Sequence, residues 1–218
     1  MKNTAHDLGG KPGFGKIDRS QQENFTHNWE KKVFQLTLAC GMLGGWNLDQ
    51  SRHARERMRK EHYLNSSYYE HWLHGLELLL VEKGLVTEQE LQSGSADSPS
   101  NLSAIKPEKL SEILVYGGPT AMKTDVLPKY IIGRKVGVKY FETSEHTRAP
   151  HYIRGKTGTI AAHHGAHIFP DEHSRSGTKL PAHLYNIRFE AVDIWGHHKE
   201  PDPSCVYVDV FEPYLEDI

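Results

Sequence analysis

The hydrophobic period of this chain changes once, near Val126, and that change most limits how the chain can fold. Before it, apolar residues recur at helical spacing. Trp29, Val33, Leu36 and Cys40 mark a first helix, ended by Gly41, Gly44 and Gly45. Asn47 can cap a second helix running to about Arg59. A third starts near Asn65 or Ser66 and ends at Lys83, with Gly84 as its stop, and Thr87 with Glu90 spells the capping box of a small fourth. Residues 93–104 are a linker by composition, and a short helix over Pro107–Tyr116 closes at Gly117-Gly118-Pro119. After Val126 the period is two. Val136 and Val138 alternate with polar or small neighbours, as do Tyr185, Ile187 and Phe189, and Val206, Val208 and Val210.

Helices first and strands second predict an α+β chain. About ninety residues of short antiparallel strands suit a small SH3-like β-barrel over 126–218. The helical domain spans 29–125 and contains the linker. Residues 1–28, glycine-rich and then polar, are too poor in apolar surface to fold alone. They form either a disordered tail or an extended arm that orders against a partner. The 218 residues are enough to bury roughly 70% of the unfolded surface.

Charge excludes more than it suggests. Lys and Arg number 26 and Asp and Glu 28, a formal net charge of −2, so nothing global points to nucleic acid. The longest apolar run, Leu78 to Val81, is far short of a membrane span, and the N-terminus lacks a signal peptide's apolar stretch. Two distant cysteines, Cys40 and Cys205, argue for a reducing, cytoplasmic setting and against a disulfide scaffold or Cys-rich metal cluster.

The 15 histidines are the unusual count. His163, His164, His167 and His173 crowd one segment and His197-His198 another, but their spacing fits no metal-ligand frame, and the first segment reads as a hairpin loop. The opening Gly9-Gly10-Lys11-Pro12-Gly13-Phe14-Gly15 lacks the flanking strand and helix of a phosphate loop. The basic run Arg52–Lys60 reads as a solvated helix face or, more weakly, a nucleic-acid contact. Within it Arg52 falls one turn after Leu48 on the apolar side, where an arginine needs an anionic partner. Glu56 is shared with Arg59 and Lys60, so the partner is expected on another chain. On the third helix, Tyr69, Leu73, Leu76 and Leu80 form a core stripe, and Tyr68, His71 and Trp72 a separate face. That face is either the wall of a pocket or interface, or a second edge of the core. From His146 to Gly158, Arg148 and Arg154 stand on a Pro-stiffened loop and can reach outward, as a recognition surface does. No nucleophile–base pair, carboxylate dyad or metal frame is complete. The chain looks like half of a site.

These motifs resemble one family, the β subunit of nitrile hydratase. The matching blocks are His6-Asp7-Leu8-Gly9-Gly10 with Gly13-Phe14-Gly15, Trp29-Glu30, Leu48-Asp49 with Arg52, Tyr68-Tyr69 with Trp72, and His146 to Gly158. His163-His164-Gly165-Ala166-His167, Asp193-Ile194-Trp195-Gly196 and Phe211-Glu212-Pro213-Tyr214-Leu215 continue the match in the family's order.

The resemblance implies hydration of a nitrile to an amide at an iron(III) or cobalt(III) ion. That metal is held by a cysteine-rich loop of the α subunit, two of whose cysteines are oxidised, and not by this chain. It implies an αβ heterodimer, pairing further to α2β2, whose barrel is SH3-like and whose N-terminal arm wraps the α subunit. No nucleic acid or membrane is implied. By the same resemblance Arg52 and Arg148 bond the oxidised cysteines. Sulfinate and sulfenate are anions with several acceptor oxygens, and Arg offers them a permanent forked donor. Tyr68 joins these two as the catalytic set. Leu48, His71 and Trp72 line the substrate pocket, and Ser51 replaces an aromatic common in the family, which bears on pocket width. Arg154 belongs to the motif. Thiocyanate hydrolase, which splits such a chain in two, and a non-catalytic SH3-like adaptor or RNA-binding protein are the alternative readings.

Overall fold

The structure is a computed structural model and describes residues 3–17, 19–20, 23–43, 45–97, 102–103, 105–196 and 203–218. The chain divides into two units. Residues Phe14–Pro119 with Thr4–His6 form one, and Thr120–Ile218 with Asn3 and Asp7–Gly13 the other. The pair His197-His198, Gly44, and residues 98–101 and 104 of the expected linker lie outside the described residues.

The first unit is helical: α1 (Asn28–Met42), α2 (Leu48–Glu56), α3 (Lys60–Asn65), α4 (Tyr68–Glu82), α5 (Glu88–Ser93) and α6 (Pro107–Tyr116). The capping signals work as read. The Asn47 side chain accepts from the backbone N–H of Asp49 and Gln50, and Thr87 accepts from Glu90. The second helix stops at Glu56 instead of Arg59, and the residues beyond restart as α3. The core of this unit is Trp46, Ala54, Leu76 and Leu79. The expected stripe on α4 is therefore corrected. Gly75, Leu76 and Leu79 are buried, whereas Tyr69, Leu73 and Leu80 are only half-buried. The helix is rotated because it packs against α1 and α2 at once.

The second unit holds β1 (Ala121–Met122), β2 (Lys135–Val138), β3 (Thr157–Ile168), α7 (Pro170–Ser176), β4 (Pro181–Glu190), α8 (Ala191–Trp195), β5 (Cys205–Phe211) and β6 (Leu215–Glu216). They make one antiparallel sheet of order β5-β4-β3-β2-β6, with β1 paired to β3. The edges of a flat sheet of five strands would stand about 19 Å apart. Yet β5 passes to β6, at the opposite edge, through a single 3-10 turn over Glu212–Tyr214, which rises only about 6 Å. The sheet must therefore curl. Its concave side closes on Val136, Val138, Ile153, Ile160, Tyr185, Ile187, Phe189 and Val210, all at most 1% exposed.

Two sequence expectations fail here. His163, His164 and His167 lie on strand β3 and not in a hairpin loop, and His173 lies on α7. The segment lacks an alternating pattern because its pairing with β4 shifts register between Ile160 and Ala162 and between His163 and Ala166. Arg154 also does not reach outward. It is 5% exposed, and its guanidinium donates to Asp7 Oδ2 at 3.0 Å, Asn3 Oδ1 at 2.9 Å and the Ala149 carbonyl at 2.9 Å.

That ion pair changes the picture of the opening segment. Ala5 and Asp7 are buried in this chain's own fold, while Phe14 and Ile17 are 60% and 85% exposed. The glycines have a packing reason. A Cβ on Gly9 would lie 2.7 Å from the Tyr152 ring, and one on Gly10 2.3 Å from the Trp195 ring, with φ already at +75°. Only a backbone without side chains can lie on those two rings.

Gly10→Ala should lower the melting temperature by several degrees, because it combines a positive φ with an overlap on Trp195, a cost of about 1–3 kcal/mol. A variant melting with the parent would show that the segment is not seated on the aromatic pair.

Stability should also fall in mild acid. His183 Nε2 donates to the Val126 carbonyl at 2.8 Å, and its Nδ1 lies 3.0 Å from His163 Nε2. Burial, then His183, holds His163 below its ordinary 6.5, and burial, then His62, does the same to His74. The unfolded chain takes up these protons near pH 6.5 and the folded chain resists them. Their contribution is complete above that pH and is lost as pH falls below it. Melting temperature should drop between pH 7 and 5, before carboxylates of ordinary value 4.5 such as Glu82 titrate. His74→Gln and His163→Gln should each flatten that slope; an unchanged slope in both would refute the assignment.

Candidate functional site

The site begins with two small residues. Ala54 on α2 is fully buried, and a Cβ on Gly75 of α4 would lie 3.7 Å from its methyl and 2.7 Å from Arg55 Cγ. The contact lets the two helices approach closely. It brings the polar face of α2, carrying Arg52 and Arg55, beside the aromatic face of α4, carrying Tyr68, His71 and Trp72. These five side chains, with His6, Glu56 and Tyr63, line a cavity of about 220 Å³.

Within it Arg52 donates to Asp49 Oδ1 at 3.1 Å. This corrects the expectation that no acid in its own helix serves it. Asp49, three residues back, is 6% exposed, and its place in the Leu48-Asp49 motif was the overlooked signal. Arg55 lies over the Trp72 ring at 4.4 Å and donates Nε to the Ser51 carbonyl at 3.0 Å. Burial pulls its guanidinium below the ordinary value. His71 stacks on Tyr63 at 4.1 Å and donates its Nε2–H to the Tyr63 carbonyl at 2.8 Å. Tyr68 is 64% exposed, and its hydroxyl has no partner among the described residues.

A second cavity of about 360 Å³ shares Arg55 and Trp72 with the first and is walled by Leu48, Ser51, Thr37 and Trp46. Thr37 Oγ1 and Trp72 Nε1 are buried without a hydrogen-bond partner among the described residues. Each such atom costs about 1–3 kcal/mol until something bonds it, so this shared wall favours a polar guest.

The structure thus brings together Arg52, Tyr68, His71 and Trp72 in one cavity and Leu48, Ser51 and Trp72 in the next. Arg148 belongs to the other unit. It is exposed, its backbone N–H donates to Tyr214 Oη at 3.1 Å, and its guanidinium has no partner among the described residues. Sequence reasoning missed Arg55, Glu56, Thr37 and His6. Arg55 was legible as the residue four after Ser51 and three after Arg52; the burial of Glu56, whose carboxylate lies 3.7 Å from His6 Nε2, was not.

The nucleic-acid reading of the basic run loses its support. Arg52 is committed to Asp49, Arg55 to Trp72, and Arg57 to Glu82 through two bonds of 2.6 and 2.9 Å. The described residues do not fit a metal either. No three His, Cys, Asp or Glu side chains among them form a group able to hold one. Cys40 and Cys205 are free and half-buried, and burial pushes the Cys40 thiol up, away from the reactive thiolate. No helix among them is long and apolar enough to cross a membrane.

Comparison with known proteins adds a family. Residues 1–116 match the family described as nitrile hydratase beta subunit, N-terminal, and residues 119–217 that described as nitrile hydratase beta subunit, C-terminal. The low-molecular weight cobalt-containing nitrile hydratase subunit beta of Rhodococcus rhodochrous is 35% identical over 96% of this chain and 97% of its own. The cobalt-containing nitrile hydratase subunit beta of Pseudonocardia thermophila is 36% identical over 98% and 96%. The nitrile hydratase subunit beta of Pseudomonas putida is 34% identical over 98% and 99%. A solved thiocyanate hydrolase from Thiobacillus thioparus superposes on 56% of this chain and 100% of its own with a TM-score of 0.39 and 21% identity, too distant to bear on the assignment.

The Ala54–Gly75 contact is testable. Gly75→Val should force α2 from α4 and destabilise the helical unit by about 1–3 kcal/mol. It should also change the Trp72 contribution to the fluorescence, taken as the difference from Trp72→Phe, because Arg55 leaves the ring. A parent-like melting curve and spectrum would show that the helices do not depend on this contact.

Proposed function

This chain belongs to the nitrile hydratase beta subunit family, and from that membership we propose that it forms, with a metal-bearing α subunit, the active site of a hydro-lyase that converts nitriles to amides. The observation that carries the reading is the cavity in which Arg52, Tyr68, His71 and Trp72 meet. It is a polar and aromatic wall, and no group of His, Cys, Asp or Glu among the described residues could hold a metal, which suits the closing half of a site whose metal lies on another chain.

That metal, iron(III) or cobalt(III), supplies Lewis-acid polarisation when bound in the α subunit; two of the relatives are cobalt-containing by name. This chain's part is to hold and exclude. Arg52, anchored on Asp49, and Arg148, unpaired within its own unit, each present a forked set of donors suited to oxygens on oxidised cysteines. The free Tyr68 hydroxyl holds a proton at Oη that a water or substrate nitrogen can share. Trp72 and Leu48 keep bulk water out of the pocket. Ser51 leaves room where an aromatic side chain would narrow it, and the orphaned Thr37 and Trp72 atoms offer that room polar contacts.

The α subunit is also the proposed occupant of the exposed apolar surfaces. Phe14 and Ile17 in the opening segment, and Leu114, Val115 and Tyr116 on α6, which buries no residue, are more than half exposed. We read the curled sheet, with its 3-10 turn before the last strand, as SH3-like, the αβ pair as doubling to α2β2, and the two free cysteines as fitting the cytoplasm.

Coexpression with the α subunit tests this. Arg52→Lys and Arg148→Lys keep the charge and lose the fork. Each should lower kcat on the order of 10–100-fold, as the loss of a group that orients metal ligands does, with metal content and melting temperature retained. Their double variant should be less than multiplicative if both act on one centre. Wild-type turnover in both single variants would remove these residues from the site.

A further inference from the structure

We propose that Tyr214, backed by Asp171, is the positioning residue for Arg148: its hydroxyl fixes the backbone from which that guanidinium is presented. The proposal rests on the reading of Arg148 given above.

Tyr214 is 4% exposed and sits in the 3-10 turn between β5 and β6, so the sheet holds its backbone on both sides. Its ring lies in an aromatic cage, stacked on Phe141 at 5.8 Å and tilted against Phe169 at 5.5 Å. A phenylalanine would fill that cage as well, so packing does not account for the hydroxyl. The hydroxyl has its own work. It donates to Asp171 Oδ1 on the first turn of α7 and accepts the backbone N–H of Arg148 at 3.1 Å. The Thr147 side chain bonds it too. Burial and the Asp171 charge push the phenol well above its ordinary value, so the proton stays on Oη throughout the working pH range.

The rest of the loop is pinned to match. Ala149 N–H donates to Thr147 Oγ1 at 3.3 Å, the Ala149 carbonyl accepts from Arg154 Nε at 2.9 Å, and His151 N–H donates to Asp7 at 3.1 Å. The backbone is therefore fastened at 148, 149 and 151, while the Arg148 guanidinium alone is left exposed and unpaired among the described residues. A fixed backbone under a free head group is how a scaffold aims a side chain at something it does not itself contain. Such groups must be held within about 0.5 Å of the productive geometry, and a displacement of about 1 Å can cost up to 100-fold in rate.

The test uses the assembled heterodimer, with kcat, KM, metal content and melting temperature measured for Tyr214→Phe, Asp171→Ala, Arg148→Lys and Tyr214→Phe/Arg148→Lys. The expected result is about a 10-fold loss of kcat in Tyr214→Phe with KM and metal content unchanged, a loss in the same direction in Asp171→Ala, and a double variant no slower than Arg148→Lys alone. Because the phenol does not titrate, the shape of the kcat–pH profile should be that of the parent. Wild-type kcat in Tyr214→Phe, even with a lowered melting temperature, would make Tyr214 merely structural and overturn the proposal, as would a double variant that loses the product of the two single losses. If Tyr214→Phe fails to assemble, Asp171→Ala decides on the same criteria. A silent Arg148→Lys would instead sink the reading of Arg148; a costly Arg148→Lys beside silent Tyr214 and Asp171 variants would sink this inference alone.

Discussion

The buried pair of Arg154 and Asp7 is the interaction that ties the opening segment to the second unit. Taking both charges out of water is expensive, and a pair of this kind is tolerated where further hydrogen bonds satisfy the remaining donors. Here Asp7, Asn3 and the carbonyls of Ala149 and Phe141 accept four bonds from the guanidinium, and the Phe141 ring covers its face at 4.6 Å. Burial pulls the Arg154 guanidinium down, and the Asp7 charge pulls it back up. Removing either partner would leave a bare charge in the core. The opening segment is thereby tied to the loop that carries Arg148, across 147 positions of sequence. The glycines beside Asp7 lie flat on Tyr152 and Trp195, as that tie requires.

In the helical unit the corresponding constraint is steric. Ala54 against Gly75 sets how close α2 comes to α4 and therefore whether Arg55 can cover Trp72. Everything proposed for the pocket follows from that approach. Arg52 and Tyr68 share a cavity because the helices nearly touch, and Trp72 walls two cavities because it stands at the crossing. The two units fasten their arginines by different means. One holds its arginine by a salt bridge at the pocket's rim, the other by fixing the main chain and leaving the side chain free.

The family models cover the two halves of this chain, residues 1–116 and 119–217. The backbone carrying each of the two arginines proposed above is fastened by neighbouring side chains. Arg52 follows a doubly bonded cap at Asn47, and Arg148 follows Thr147, whose own side chain takes part in the anchoring.

Local signals determined what local physics can determine. The caps at Asn47 and Thr87, the glycine stops at Gly84 and Gly117, and the alternation in β2, β4 and β5 were all legible, because each depends on residues a few positions apart. So was the shared face of Tyr68, His71 and Trp72 on α4, although the sequence left open whether it walls a cavity or edges the core; the structure puts all three on one cavity. Tertiary structure decided the rest. It turned α4 to bury Gly75 and Leu79, drew the histidine segment into strand β3 by pairing it with β4, His163 opposite Tyr185, and turned Arg154 inward onto Asp7. Those outcomes rest on contacts between residues distant in sequence. No period or cap can show them, because the partner that makes a buried charge tolerable or a polar strand regular is supplied only when the chain closes on itself.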